Sequence, residues 1–108
     1  MPLETRPFDP AEYLDDDEAI EVYLEESLKI ALEVADPSVL TQALGVVARA
    51  RGMSQIALAS GLSRESLYKS LSAEGNPEFA TILRVLQALG LKLSISSARV
   101  DENITRVA

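Results

Sequence analysis

At 108 residues and a net charge of −7, the chain has room for one small domain with a modest core, which a dimer or a complex would complete. It contains neither cysteine nor histidine, which excludes disulfides, thiolate chemistry, zinc sites of the usual type and histidine acid/base catalysis. No apolar run approaches the ~18 residues of a membrane span and the start lacks the basic flank and apolar stretch of a secretory signal, so a cytoplasmic protein is expected.

The charge is unevenly spread. Residues 1–36 carry twelve acids against Arg6 and Lys29, whereas residues 37–108 carry eight bases against five acids. The pattern is a basic body with an acidic arm, and local potential steers binding more than the total does. The plain alternative is an arm that serves solubility alone.

Residues 1–17 form the acidic arm. Three prolines in its first ten positions predict an extended start. Phe8, Tyr13 and Leu14 are apolar groups of little use to a free tail, so the arm is expected to dock on its own body or on a partner. Asp15, Asp16 and Asp17 supply a cap and first-turn charge for a helix whose apolar stripe is Ile20, Tyr23, Leu24, Leu28, Ala31, Leu32 and Ala35. This opens an all-α domain over residues 18–90.

Asp36-Pro37 ends that helix and starts the next, the aspartate as N-cap and the proline at the first helical position. The second helix runs to Arg51 with Val39, Leu40, Ala43, Leu44, Val47 and Ala48 inward, and Gly52 closes it. Ser54 is the expected cap of a short helix over residues 55–60, Gly61 allows the sharp turn, and Ser63 caps the helix that follows, with Leu67 and Leu71 inward. After a turn at residues 73–76, Asn76-Pro77 repeats the cap-plus-proline device. It opens a helix through Leu89 whose expected buried face is Phe79, Ile82, Leu83, Leu86 and Leu89.

Beyond Gly90, Leu91, Leu93 and Ile95 alternate with Lys92, Ser94 and Ser96, a period of two that predicts a short strand over residues 91–96. No second strand pattern exists to pair with it, so the same strand of a second copy is the economical partner and these three residues are candidate dimer contacts. A helix-packed or solvent-exposed tail is the alternative. Residues 97–108 read as a tail.

Met53 to Leu71, MSQIALASGLSRESLYKSL, has the form of a helix-turn-helix. Ala57 is small where the helices cross, Gly61 turns the chain, and Leu62, Leu67 and Leu71 lock the second helix against the first. Arg64, Glu65 and Lys69 then face outward as candidate base readers: arginine and lysine suit guanine acceptors, and glutamate accepts from cytosine N4. Ser54, Gln55, Ser63, Ser66, Tyr68, Arg49 and Arg51 are candidate contacts to the DNA backbone, which set position rather than sequence. The competing reading of all of them is a charged solvent face on a helical bundle. Arg84 reads as structural or surface.

Other functions find little support. There is no glycine-rich phosphate loop, and the carboxylate run Asp15 to Glu18 has no accompanying base, nucleophile or calcium-loop spacing, so neither an enzyme nor a cofactor or metal is expected. An acidic helix face would be repelled by anionic lipid.

The run GMSQIALASGLSRESLYKSLSAEGNPEFATILRVLQALG, Gly52 to Gly90, closely resembles the HigA-like addiction module antidote (antitoxin) family, a branch of the lambda-repressor-like, or XRE, helix-turn-helix group. The leader FDPAEYLDDDEAIEVYLEESL, Phe8 to Leu28, is similar to that family's N-terminal segment. The resemblance implies a lambda-repressor-like five-helix domain and a dimeric antitoxin of a type II module that binds a RelE/ParE-like toxin and represses its own operon on double-stranded operator DNA. It places the recognition helix at Ser63 to Leu71. Two positions depart from the wider group: Met53 stands where a phosphate-contacting glutamine is usual, and Ser70 where an apolar residue is usual.

Because RelE-like toxins are basic, the resemblance also suggests a role for the arm, with Phe8, Tyr13, Leu14, Asp15, Asp16, Asp17 and Glu21 as candidate toxin contacts. Two other readings stay open: a stand-alone transcription regulator, and a protein-interaction module with little DNA affinity.

Overall fold

The structure, a computed structural model, describes residue 11 and residues 14–97. Phe8 and Tyr13 lie outside the described residues, as does the tail beyond residue 97. Five helices follow in order: α1 (Asp17–Val34), α2 (Pro37–Arg51), α3 (Met53–Ser60), α4 (Arg64–Ser70) and α5 (Phe79–Ala88). α1 packs chiefly along α2, while α3 is the hub that touches α2, α4 and α5.

Local chemistry sets most helix ends. Asp16 caps α1, its carboxylate accepting from the Ala19 amide at 2.7 Å, with Asp17 and Glu18 adding favourable charge in the first turn. α1 stops at Ala35, which adopts a left-handed conformation at φ 55°. That is costly for a residue with a Cβ, and it lets Asp36 turn at once into the N-cap of α2. Asp36 accepts from the Ser38 amide at 3.0 Å, and Pro37 follows in the first turn.

The hydrogen bonds from Ser38 hold the Asp36 carboxyl below the usual carboxylate range. A group whose pKa is depressed on folding contributes stability above its unfolded pKa and loses it as pH falls through the folded value. Asp36→Asn is therefore expected to melt like the unsubstituted chain at neutral pH, since asparagine caps equally well. It should lose less stability than the unsubstituted chain when both are melted again in the acid range.

The core gathers Leu44, Val47 and Ala48 of α2, Met53, Ile56 and Ala57 of α3, Leu67 of α4, and Ile82, Val85 and Leu86 of α5. Ile20 and Leu24 of α1 complete it from one side, with Leu14, which precedes α1, and Leu71, which follows α4. Three polar side chains are buried with it, and each is satisfied by a carbonyl three or four residues back. Ser27 donates to Tyr23, Thr41 to Pro37 and Ser60 to Ala57.

Several expectations are corrected. α3 begins at Met53, with Gly52 rather than Ser54 in the cap position and no side-chain cap bond. α5 begins at Phe79, with Glu78 rather than Asn76 as its cap. Gly75 lies under the end of α4, where an added Cβ would meet the Ser70 and Lys69 carbonyl oxygens at 2.3 and 2.5 Å, so the chain is still closing the α4 turn next to the expected cap. Residues 76–78 are used in crossing from there to the core.

Phe79 and Leu83 are exposed, and Val85, missed from the predicted face, is fully buried. α5 packs chiefly on α3, so only the flank that faces α3 is covered. Leu32 is exposed for the corresponding reason on α1. The strand predicted over residues 91–96 is not formed, and the described residues contain no strand at all. A strand needs a ladder partner, and no segment of the described chain offers one. Gly90, at φ 77°, turns the chain so that the Leu91 amide donates to the Leu86 carbonyl at 2.9 Å. Leu91 packs against the core, whereas Leu93 and Ile95 are exposed.

Candidate nucleic-acid interface

The α3–α4 unit is built around one tight corner. Gly61 takes the left-handed conformation, φ 76°, and the Leu62 amide donates back to the Ala57 carbonyl at 3.0 Å. The same helix-end carbonyl also accepts from the Gly61 amide and the Ser60 hydroxyl, so the corner is closed by several bonds to one acceptor. Ser63 then caps α4, its Oγ accepting from the Ser66 amide at 3.0 Å. Leu67 is fully buried and Leu71 nearly so, which fixes the rotation of α4 about its own axis.

That rotation turns Arg64, Glu65, Ser66, Tyr68 and Lys69 to solvent. They form two rows at the four-residue interval, Arg64 with Tyr68 and Glu65 with Lys69. In the first row the Arg64 guanidinium carbon lies 5.5 Å from the centre of the Tyr68 ring, within the range of a cation–π contact, and its Nη2 is 3.5 Å from the Tyr68 hydroxyl. The contact narrows the positions Arg64 visits and leaves its outer edge free to donate.

Beside α4, an open cleft of about 280 Å³ separates it from α2, lined by Gln42, Gly45, Arg49, Tyr68 and Ser72 among others. The helices come close because residue 45 has no side chain: a Cβ there would lie 2.7 Å from the Leu71 carbonyl oxygen. Gln42 and Ser72 are polar groups of this face that sequence reasoning missed. The seven-residue spacing of Gln42 and Arg49 on a helix was the available signal, since it puts both on one line. Ser54 and Gln55 are exposed at the start of α3, while Met53 is buried in the core.

The remaining candidates are separated from this face. Arg51, at the end of α2, makes an ion pair with Asp17 at the start of α1. A predicted DNA contact and a predicted toxin contact are thus engaged with each other. The Asp17 side chain is largely open to water and that of Arg51 is 37% exposed, and surface pairs of this kind contribute little to stability. Asp15, Asp16 and Glu21 are exposed on the α1 side. Leu14 is 7% exposed and packs in the core of its own domain. No group of acidic residues among the described residues is arranged to hold a metal ion, and no described helix is long and apolar enough to cross a membrane.

Comparison with known proteins adds a family. A family model described as "Probable addiction module antidote protein" matches residues 4–97. An uncharacterized protein of Haemophilus influenzae is 44% identical over 99 residues, covering 92% of this chain and 98% of that protein. No solved structure matches.

Proposed function

The chain belongs to the addiction module antidote family, and from that premise we propose that it is the antitoxin of a type II module, which binds and neutralises a RelE/ParE-like toxin and represses its own operon. The observation that carries the DNA half of this reading is the α4 face, where Arg64, Glu65 and Lys69 stand outward on a helix locked by Leu67. In this reading α3 and α4 are a lambda-repressor-like helix-turn-helix of the XRE group. Arg64, Glu65 and Lys69 read base edges. Arg49, Ser54, Gln55, Ser63, Ser66 and Tyr68 position the backbone.

One short helix grips a single half-site weakly, so operator binding calls for two copies reading two half-sites. The tail supplies a candidate joint. Leu93 and Ile95 are exposed and alternate with polar residues beyond an anchored Leu91, and the same segment of a second copy would provide the missing ladder.

The test has two arms. Expression of the module's toxin alone is expected to arrest growth, and co-expression of this chain to restore it. The purified chain is expected to shift a duplex carrying the DNA upstream of its own gene, and a shuffled duplex far less. Continued arrest on co-expression sinks the antitoxin reading, and equal binding to both duplexes sinks the operator reading.

One observation favours a second reading, a protein-interaction module with little DNA affinity: Arg51 is already neutralised by Asp17. The same duplex experiment separates the two.

A further inference from the structure

α1 is an 18-residue helix that packs chiefly against one neighbour, α2. Its buried stripe is Ile20, Leu24, Ser27 and Ala31. Alongside runs a second row at intervals of four, Val22, Glu26, Ile30 and Val34, all turned to solvent, with Val22 58%, Ile30 41% and Val34 59% exposed. Rows of this spacing are the ridges by which helices pack into grooves, and this one has no groove to fill among the described residues. Glu26 sits within the row, and the helix as a whole carries six acids against Lys29.

We propose that the Val22–Glu26–Ile30–Val34 ridge is the principal docking surface for the partner protein, and that the partner presents an apolar groove with a cationic rim. This rests on the antitoxin reading and moves the main contact from the Phe8 and Tyr13 arm to the body of α1. The charge selects the occupant. A second copy would set six acids against six, and nucleic acid or an anionic bilayer would be repelled in the same way. A small cation would leave the three apolar side chains in water, so the complement is a protein. Its apolar groove takes Val22, Ile30 and Val34 as anchors, while the acids steer approach and set orientation. The ridge is presented ready-made, on a helix capped by Asp16 and tied to α2 by Asp17 and Arg51, so little ordering is needed on binding.

The test uses the full chain and the toxin of its own module, mixed and titrated by calorimetry. Ile30→Ala and Val34→Ala are each expected to weaken the complex about tenfold. Glu26→Lys should slow association and make it less sensitive to salt. Ile30 and Val34 are exposed, so melting temperature and binding to operator DNA should stay unchanged in their alanine variants, and Phe8→Ala and Tyr13→Ala should cost less.

Full affinity in the Ile30→Ala, Val34→Ala double variant, with loss in Phe8→Ala or Tyr13→Ala, would overturn the ridge and leave the antitoxin reading intact. A double variant that changes the monomer–dimer balance in sedimentation but not toxin affinity would identify a second copy as the occupant and overturn it too. No complex with the unsubstituted chain would overturn both readings.

Discussion

Replacing Arg64 and Lys69 together by alanine is expected to lower affinity for the operator about a hundredfold or more, since each good contact to a base edge is worth roughly 1–3 kcal/mol of discrimination. The loss should be specific. Fluorescence anisotropy at fixed salt, with operator and shuffled duplexes side by side, should show the two affinities converging. Arg49→Ala should behave differently, weakening both duplexes alike and reducing the salt slope by about one, as expected for one lost phosphate contact.

Tyr68 provides an internal control, because its ring lies against the Arg64 guanidinium. Tyr68→Phe keeps the ring and should keep operator preference, whereas Tyr68→Ala frees Arg64 and should erode it. If the Arg64→Ala, Lys69→Ala variant bound the operator as the unsubstituted chain does, the base-reading assignment would be wrong, whatever the outcome of the toxin experiments.

Leu67→Ala is expected to cost about 2–5 kcal/mol, the range for emptying a fully buried leucine site. Small domains hold only ~5–15 kcal/mol in reserve, so a large share of the total would go. The effect should reach function as well, because Leu67 fixes which residues of α4 face outward. Chemical denaturation followed by α-helical circular dichroism would show the midpoint falling sharply, and operator binding should fall with it. Leu58→Ala is the matched comparison: that leucine is 85% exposed on α3, and surface substitutions usually stay within about 0.5 kcal/mol. Equal losses in the two variants would mean that Leu67 does not hold α4 in place.

The local devices were legible because each acts within three or four residues. Asp36-Pro37 and Ser63 announced helix starts, Gly61 a reversal, and Leu67 with Leu71 an inward face, and the structure has them all in those roles. The start of α5 was misjudged on equally good local grounds. Asn76-Pro77 is a sound cap signal, but Gly75, the residue before it, packs against the end of α4, and the helix begins only at Phe79.

By itself, then, the sequence determined five helices, their order, the acidic-to-basic asymmetry and the set of side chains available to α4, because caps, turns and helical periodicity are local and charge is additive. Only the tertiary structure decided which flank of each apolar stripe is covered. Leu14 joined the core while Leu32, Phe79 and Leu83 stayed in water, since burial depends on which neighbour lies alongside, and α1 and α5 have one principal neighbour each. It likewise decided that Asp17 meets Arg51 across 34 positions. The residues at 91–96 form no strand in the single chain, because a period of two specifies which side chains face which way, while a strand also requires a second backbone to bond to.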